Sequence, residues 1–129
     1  MVIRCLIVDD STAFLAAAER ALTSQGINIV GVAHDSAQAI ADINALQPDV
    51  VLVDVYLGAE SGFALAERIE AIARAHSLAV QVILISSHSR DEMVDLLHES
   101  PAVAFVDKAE LSAQTIRGAL HGTGDGRPT

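Results

Sequence analysis

The sequence predicts an α/β fold, a parallel sheet covered by helices on both faces, and three observations carry the prediction. Short β-branched apolar runs recur along the chain, longer segments with helical spacing lie between them, and the runs end in polar residues. Strict alternation of strand and helix requires crossover connections, which place helices on the two faces of a parallel sheet. At 129 residues, 51% of them apolar, the chain is long enough for one domain with a real core and short for two.

The elements follow in order. Val2 to Val8 reads as a buried strand stopping at Asp9 and Asp10, after which Phe14, Leu15, Ala18 and Leu22 repeat at helical intervals and Gly26 closes the helix. A second strand spans about Ile27 to Ala33. The next helix starts near Asp35, carries Ile40, Ile43 and Leu46, and cannot continue past Pro48. The third strand, Val50 to Val53, is the most apolar and is cut off by Asp54; Gly58 and Gly62 bracket a loop before a helix bearing Leu65, Ile69 and Ile72. Val80 to Ile85 forms the fourth strand, ending in Ser86, Ser87 and His88. Ser89 and Glu92 have capping-box spacing and open a short helix with Met93, Leu96 and Leu97. After Pro101 a fifth strand, Val103 to Val106, leads to Lys108, and a helix from about Ala109 to Leu120 ends the domain. Residues 1–121 are thus expected to form the domain, and the Gly-rich residues 122–129 a flexible tail or linker.

Composition excludes several functions. A net charge of −9, with eight basic residues of which one is a lysine, argues against a nucleic-acid groove, which neutralises phosphates with clustered Lys and Arg. No apolar stretch reaches the roughly 18 residues of a membrane span, and the N-terminus lacks a secretory signal pattern. The lone Cys5 lies in an apolar run and reads as a small buried hydrophobe in a reducing cytoplasm.

In an open parallel sheet, ligands bind beyond the carboxyl ends of the strands. Asp9 and Asp10 end the first strand, Asp54 the third, Ser86 the fourth and Lys108 the fifth. Gathered carboxylates repel unless a cation is present, and hard oxygen ligands suit Mg²⁺ or Mn²⁺. A lysine and a hydroxyl complement phosphate oxygens. A carboxylate among such groups points to attack by Asp54 on phosphorus, giving an acyl phosphate on the protein itself. Taken singly, each residue has an ordinary reading: acidic strand ends are often helix caps or solvated turns, and a lone lysine is usually on the surface. Their joint placement at successive strand ends favours the chemical one.

The runs L-I-V-D-D, V-L-V-D-V-Y-L-G, V-I-L-I-S-S and F-V-D-K, in this order and spacing, resemble the response-regulator receiver family over about residues 2 to 121. The resemblance implies the flavodoxin-like receiver fold, a five-stranded parallel sheet of order 2-1-3-4-5. It implies metal binding by Asp9, Asp10, Asp54 and the backbone carbonyl of Tyr56. Asp54 would be the phosphoacceptor, Lys108 the lysine of the catalytic set, Ser86 the switch hydroxyl and Phe105 the switch aromatic. Tyr56 and His88 fall where the family tunes the rate of hydrolysis. The family also implies a cytoplasmic protein that catalyses only its own aspartyl phosphorylation and dephosphorylation. Its partners would be a sensor histidine kinase or a phosphotransfer protein, with a homodimer through the fourth helix, fifth strand and fifth helix as a candidate, and neither nucleic acid nor membrane touched by this domain. Gly58 stands where many members have proline, which suggests a more mobile loop after Asp54, and Ala109 follows the lysine where proline is common. The V-D-K-A-E-L-S stretch resembles receivers joined to helix-turn-helix DNA-binding domains, so a stand-alone receiver and the front of a transcription regulator both remain open.

Three other functions compete. A flavodoxin-like nucleotide- or flavin-binding module would want a glycine-rich phosphate loop after the first strand, where Asp9-Asp10-Ser11-Thr12 presents anions. A phosphatase with an aspartate nucleophile would want a second acid in D-x-D spacing, which Asp54-Val55-Tyr56 lacks. A degenerate receiver used only for docking would not need the intact acidic set.

Overall fold

The computed structural model describes residues 2–87 and 94–121. The main sheet holds β1 (Arg4–Val8), β2 (Asn28–Ala33), β3 (Val50–Asp54), β6 (Gln81–Ser86) and β7 (Ala104–Asp107), all parallel, in the order β2-β1-β3-β6-β7. Counting only these strands, that is the expected 2-1-3-4-5. The labels β4 (Tyr56–Leu57) and β5 (Glu60–Ser61) belong to a small antiparallel hairpin beside it.

Alternating side chains feed two cores. On one face Leu6, Val8, Val51, Val53, Val82 and Leu84 pack against α2 (Ser36–Leu46) and α3 (Gly62–His76). On the other, Cys5, Ile7, Val50, Leu52, Ile83 and Ile85 meet Leu15, Ala18 and Leu22 of α1 (Thr12–Ser24) and Ala113 and Ile116 of α5 (Ala113–Leu120). The central strands read as continuous apolar runs because helices cover both their faces. Each fully buried Leu or Ile contributes about 1.5–3 kcal/mol relative to exposure, which provides the stability against which a cluster of like charges can be held.

The helix starts are set by side chains at the carboxyl edge of the sheet. Ser11, Asp35, Ser61 and Ser112 cap α1, α2, α3 and α5 by accepting N–H bonds from Phe14, Gln38, Ala64 and Thr115, satisfying donors that a helix leaves open. α1 ends as expected around Gly26, whose N–H reaches the Thr23 carbonyl while that of Ile27 reaches Leu22, a Schellman closure.

Several boundaries differ from the sequence reading. β1 begins at Arg4 because that is where pairing with Asn28 begins; Val2 is 60% exposed. β3 extends through Asp54, which pairs with Ile85. β6 and β7 each start and end one residue later than expected. The last helix is not continuous from Ala109: Lys108–Glu110 is a 3₁₀ turn, and α5 starts at Ala113. The reason is a capping box in which the Ser112 and Thr115 side chains each bond the other's backbone N–H, which restarts the helix there. The segment after Asp54 is a paired two-residue hairpin rather than an open loop. Gly58 has φ +62° and Ala59 does not share the sign, the pattern of a type II′ turn, which takes glycine at its first central position.

The short helix α4 is described from Val94 to Glu99. The Ser89/Glu92 capping box, Met93, His88 and the tail 122–129 lie outside the described residues. No helix among the described residues is long and apolar enough to cross a membrane.

Candidate functional site

Two buried carboxylates face one ammonium at the carboxyl edge of the sheet. Asp9 follows β1 and is fully buried; its Oδ1 accepts the Ser11 N–H at 2.8 Å, and its Oδ2 lies 2.7 Å from Lys108 Nζ. Apart from that ion contact, Asp9 Oδ2 has no hydrogen bond among the described residues. Asp54, at the end of β3 and also buried, repeats the arrangement: Oδ1 accepts the Tyr56 N–H at 3.2 Å, and Oδ2 lies 3.2 Å from Lys108 Nζ. Each carboxylate thus uses one oxygen for a backbone bond two residues on and turns the other to the lysine.

Asp10 is exposed, but one of its oxygens joins those of Asp9 and Asp54 in a group whose members all lie within 4.8 Å of one another. The donor set is all carboxylate oxygen and includes a buried oxygen without a hydrogen bond, so the residues present fit a hard divalent cation. The lysine supplies only one of the positive charges such a cluster calls for.

The electrostatics carry that tension. Burial, and beyond it the Asp9 charge, hold the Asp54 carboxyl above its usual pKa, against the Tyr56 N–H and Lys108, which favour its ionised form. Burial works against the Lys108 ammonium, but the close ion contact with Asp9 and the two carboxylate charges outweigh it, and the Lys108 pKa is raised. The lysine therefore stays charged at neutral pH.

Ser86 ends β6 fully buried, paired with Asp107 and one residue from the partner of Asp54. Phe105 pairs with Leu84 and is half-buried against the α2–α3 face of the core. The Tyr56 side chain is 53% exposed at the start of the hairpin. The structure thus gathers Asp9, Asp10, Asp54 and Lys108 directly and puts Ser86 at the neighbouring strand end.

Three supporting contacts escaped the sequence reading. Lys108 Nζ stands 4.3 Å from the centroid of the Phe14 ring, whereas in the sequence Phe14 is only one of an apolar helical series. Glu60 of the hairpin accepts the Ser36 N–H at 2.9 Å and its hydroxyl at 2.7 Å, tying the segment after Asp54 to the start of α2. In the sequence Gly62 is only one bracket of a loop. A Cβ there would collide with the Asp54 carbonyl oxygen and lie 2.7 Å from Val55 Cα, so the chain must come this close to the site without a side chain.

Fold and site together define a doubly wound α/β domain with an acidic, lysine-paired, cation-fitting cluster at its strand ends. Comparison with known proteins agrees. The family described as the response regulator receiver domain matches residues 5–121. A probable transcriptional regulatory protein NarL of Mycobacterium tuberculosis is 31% identical over 119 residues, covering 92% of this chain and 53% of that protein. A protein-glutamate methylesterase/protein-glutamine glutaminase of Geobacter sulfurreducens is 35% identical over 124 residues, 92% of this chain and 32% of that one. The chain therefore spans about a third to about half of the length of these relatives. The receiver domain structure of the M. tuberculosis NarL superposes with TM-score 0.76 at 30% identity, covering 93% of this chain and 98% of that one. A LuxR-family response regulator from Aurantimonas sp. SI85-9A1 reaches TM-score 0.81 at 22% identity, covering 93% and 86%, and speaks for the fold alone. The chain belongs to the response regulator receiver domain family.

Proposed function

We propose that Asp54 is the phosphoacceptor of this receiver and that the phosphoryl group comes from a sensor histidine kinase or a phosphotransfer protein. The observation that carries the reading is the lysine ammonium shared between buried Asp9 and Asp54, with Asp10 completing the acidic group. An Asp54 oxygen forms a bond to phosphorus as the bond from phosphorus to the donor nitrogen breaks, and the donor imidazole keeps that electron pair. Lys108, 3.2 Å from Asp54, follows the charge outward onto the phosphoryl oxygens.

A divalent ion, Mg²⁺ or Mn²⁺, held by Asp9, Asp10, Asp54 and the Tyr56 carbonyl, would offset the charge of the phosphoryl oxygens. Support for Tyr56 comes from register. The Gly62 N–H bonds the Val55 carbonyl, so the next pair, Tyr56 and Ser61, is a non-hydrogen-bonded one, whose backbone polar groups face away from the partner strand.

Ser86, buried at the adjacent strand end, is the hydroxyl that would donate to a phosphoryl oxygen, and Phe105 would follow it inward as a switch aromatic. Tyr56 and His88 are proposed to tune the lifetime of the acyl phosphate. The surface changed would be that of α4, β7 and α5, the proposed face for a dimer partner or an output domain. The domain turns over no substrate beyond its own aspartyl phosphate and works in the cytoplasm. The similarity to NarL favours a transcription regulator as the whole protein.

The test is intact-mass spectrometry after incubation with a small acyl-phosphate donor and Mg²⁺. The wild type should gain one phosphoryl group and Asp54→Asn none. Ser86→Ala should still gain it while losing the backbone shift changes of residues 104–110 on phosphorylation. An adduct retained in full by Asp54→Asn would assign the acceptor elsewhere.

A further inference from the structure

Phe14 lies in the first turn of α1, and its backbone N–H is held by the cap Ser11 at 3.2 Å. The cap fixes the turn, and the turn fixes where the ring stands. The ring is half-buried against the α1–α5 face of the core, and Lys108 Nζ sits 4.3 Å from its centroid while also pairing with Asp9 at 2.7 Å and Asp54 at 3.2 Å. Among the described residues the ammonium thus meets two carboxylates and one aromatic face. An aromatic face attracts a cation through its quadrupole and carries no net charge. It can hold the lysine without adding to the repulsion among the aspartates or competing with a phosphoryl group for the metal.

We propose that Phe14 is a positioning residue for Lys108, a seat that keeps the ammonium at the reaction centre while its anionic partners change. The inference rests on the reading of Asp54 as phosphoacceptor. Before transfer the lysine is held by carboxylates. As an Asp54 oxygen bonds to phosphorus and the donor bond breaks, negative charge moves outward to the phosphoryl oxygens, and the ammonium must move with it. A long, flexible side chain loses rotamer freedom when it is held. Unlike Asp54, the ring keeps its charge distribution through the transfer, and unlike Asp9 it has no role in holding a cation, so it limits how far the lysine strays between the two arrangements.

The composition of the chain makes the contact directly observable, because Lys108 is the only lysine in the sequence. Lysine-labelled protein therefore gives one set of side-chain signals. The Lys108 ε-methylene protons should carry an upfield ring-current shift that Phe14→Leu removes. With saturating Mg²⁺, the initial rate of phosphorylation by a small acyl-phosphate donor should fall about two- to fivefold in Phe14→Leu, as expected for a cation–π contact near the surface. Phe14→Tyr should keep the rate.

The decisive series replaces Phe14 by mono-, di- and trifluorophenylalanine, which nearly preserve the ring's size while draining its face of electron density. The rate should drop with each fluorine while the thermal midpoint hardly moves, a pattern that a purely structural role for Phe14 would not produce. A flat series on a wild type that phosphorylates normally overturns the role of Phe14 alone, as does a Lys108 methylene shift unchanged in Phe14→Leu. A wild type that takes up no phosphoryl group would overturn the phosphoacceptor reading and the positioning role with it.

Discussion

Lys108 Nζ lies closer to Asp9, at 2.7 Å, than to Asp54, at 3.2 Å, so the ammonium leans toward one of the two buried carboxylates of the cation-fitting group. The lysine occupies part of the electrostatic role that a metal would take, and the two compete for Asp9. Lys108→Ala should therefore bind Mg²⁺ more tightly while the metal-free protein becomes less stable. A unit charge a few ångströms away contributes about 1 kcal/mol even at the dielectric of water, so the gain should be roughly fivefold. Isothermal titration with Mg²⁺ measures it, and weaker binding by the variant would mean that the lysine organises the site rather than opposing the ion.

Asp54 has a native pKa above its ordinary value, chiefly through burial. The native state then holds this proton more tightly than the unfolded chain does. As pH rises from about 4, where an unfolded aspartate ionises, through the raised native value, Asp54 makes the metal-free protein progressively less stable. Asp54→Asn removes this falling limb, so its stability relative to wild type should grow across that window. Denaturant midpoints in chelator from pH 4 to 7 test it; parallel curves for the two proteins would rule the linkage out.

Glycines 62 and 118 should respond to alanine with opposite signs. A Cβ at Gly62 meets the backbone of Asp54 and Val55, whereas one at Gly118 in α5 meets nothing within 4 Å among the described residues. Gly62→Ala should cost about 2 kcal/mol or more by overpacking and reduce phosphorylation. Gly118→Ala should stabilise by about 0.5 kcal/mol through better helix propensity. Thermal melts of the pair decide the matter, and equal effects would argue against the close approach at Gly62.

The Glu60 carboxylate is held below its ordinary pKa first by the Ser36 N–H and then by the Ser36 hydroxyl. A depressed native pKa stabilises above the unfolded value near 4.3, and this contribution is lost as pH falls through the native one. Ser36→Ala leaves the backbone bond and removes the side-chain one, so a carbon-13 titration of the Glu60 carboxylate should move part of the way back toward the free value. No movement would show that the hydroxyl contact does not form in solution.

Much of the fold was legible because its signals are local. Continuous apolar runs mark strands covered on both faces, and Asp35 stands at a helix start where its side chain accepts an N–H group. Asp9, Asp10, Asp54, Ser86 and Lys108 could be read as one group because a parallel sheet carries every strand end to the same edge. The resemblance to receivers supplied the strand order that these local signals leave open.

The sequence by itself determined the strands and most of the helices, the polar strand ends and the chemistry those residue types can do. Tertiary structure decided which groups touch: the Phe14 ring beside Lys108, Glu60 on Ser36, and the approach at Gly62 that excludes a side chain. The restart of the last helix at Ser112 and the hairpin after Asp54 are local features as well, but the apolar pattern does not mark them. The physical reason is range. Strand and helix patterns repeat over two to four residues and follow from which face is buried, whereas a contact between the first turn of α1 and the residue after β7 exists only once the whole sheet is assembled between them.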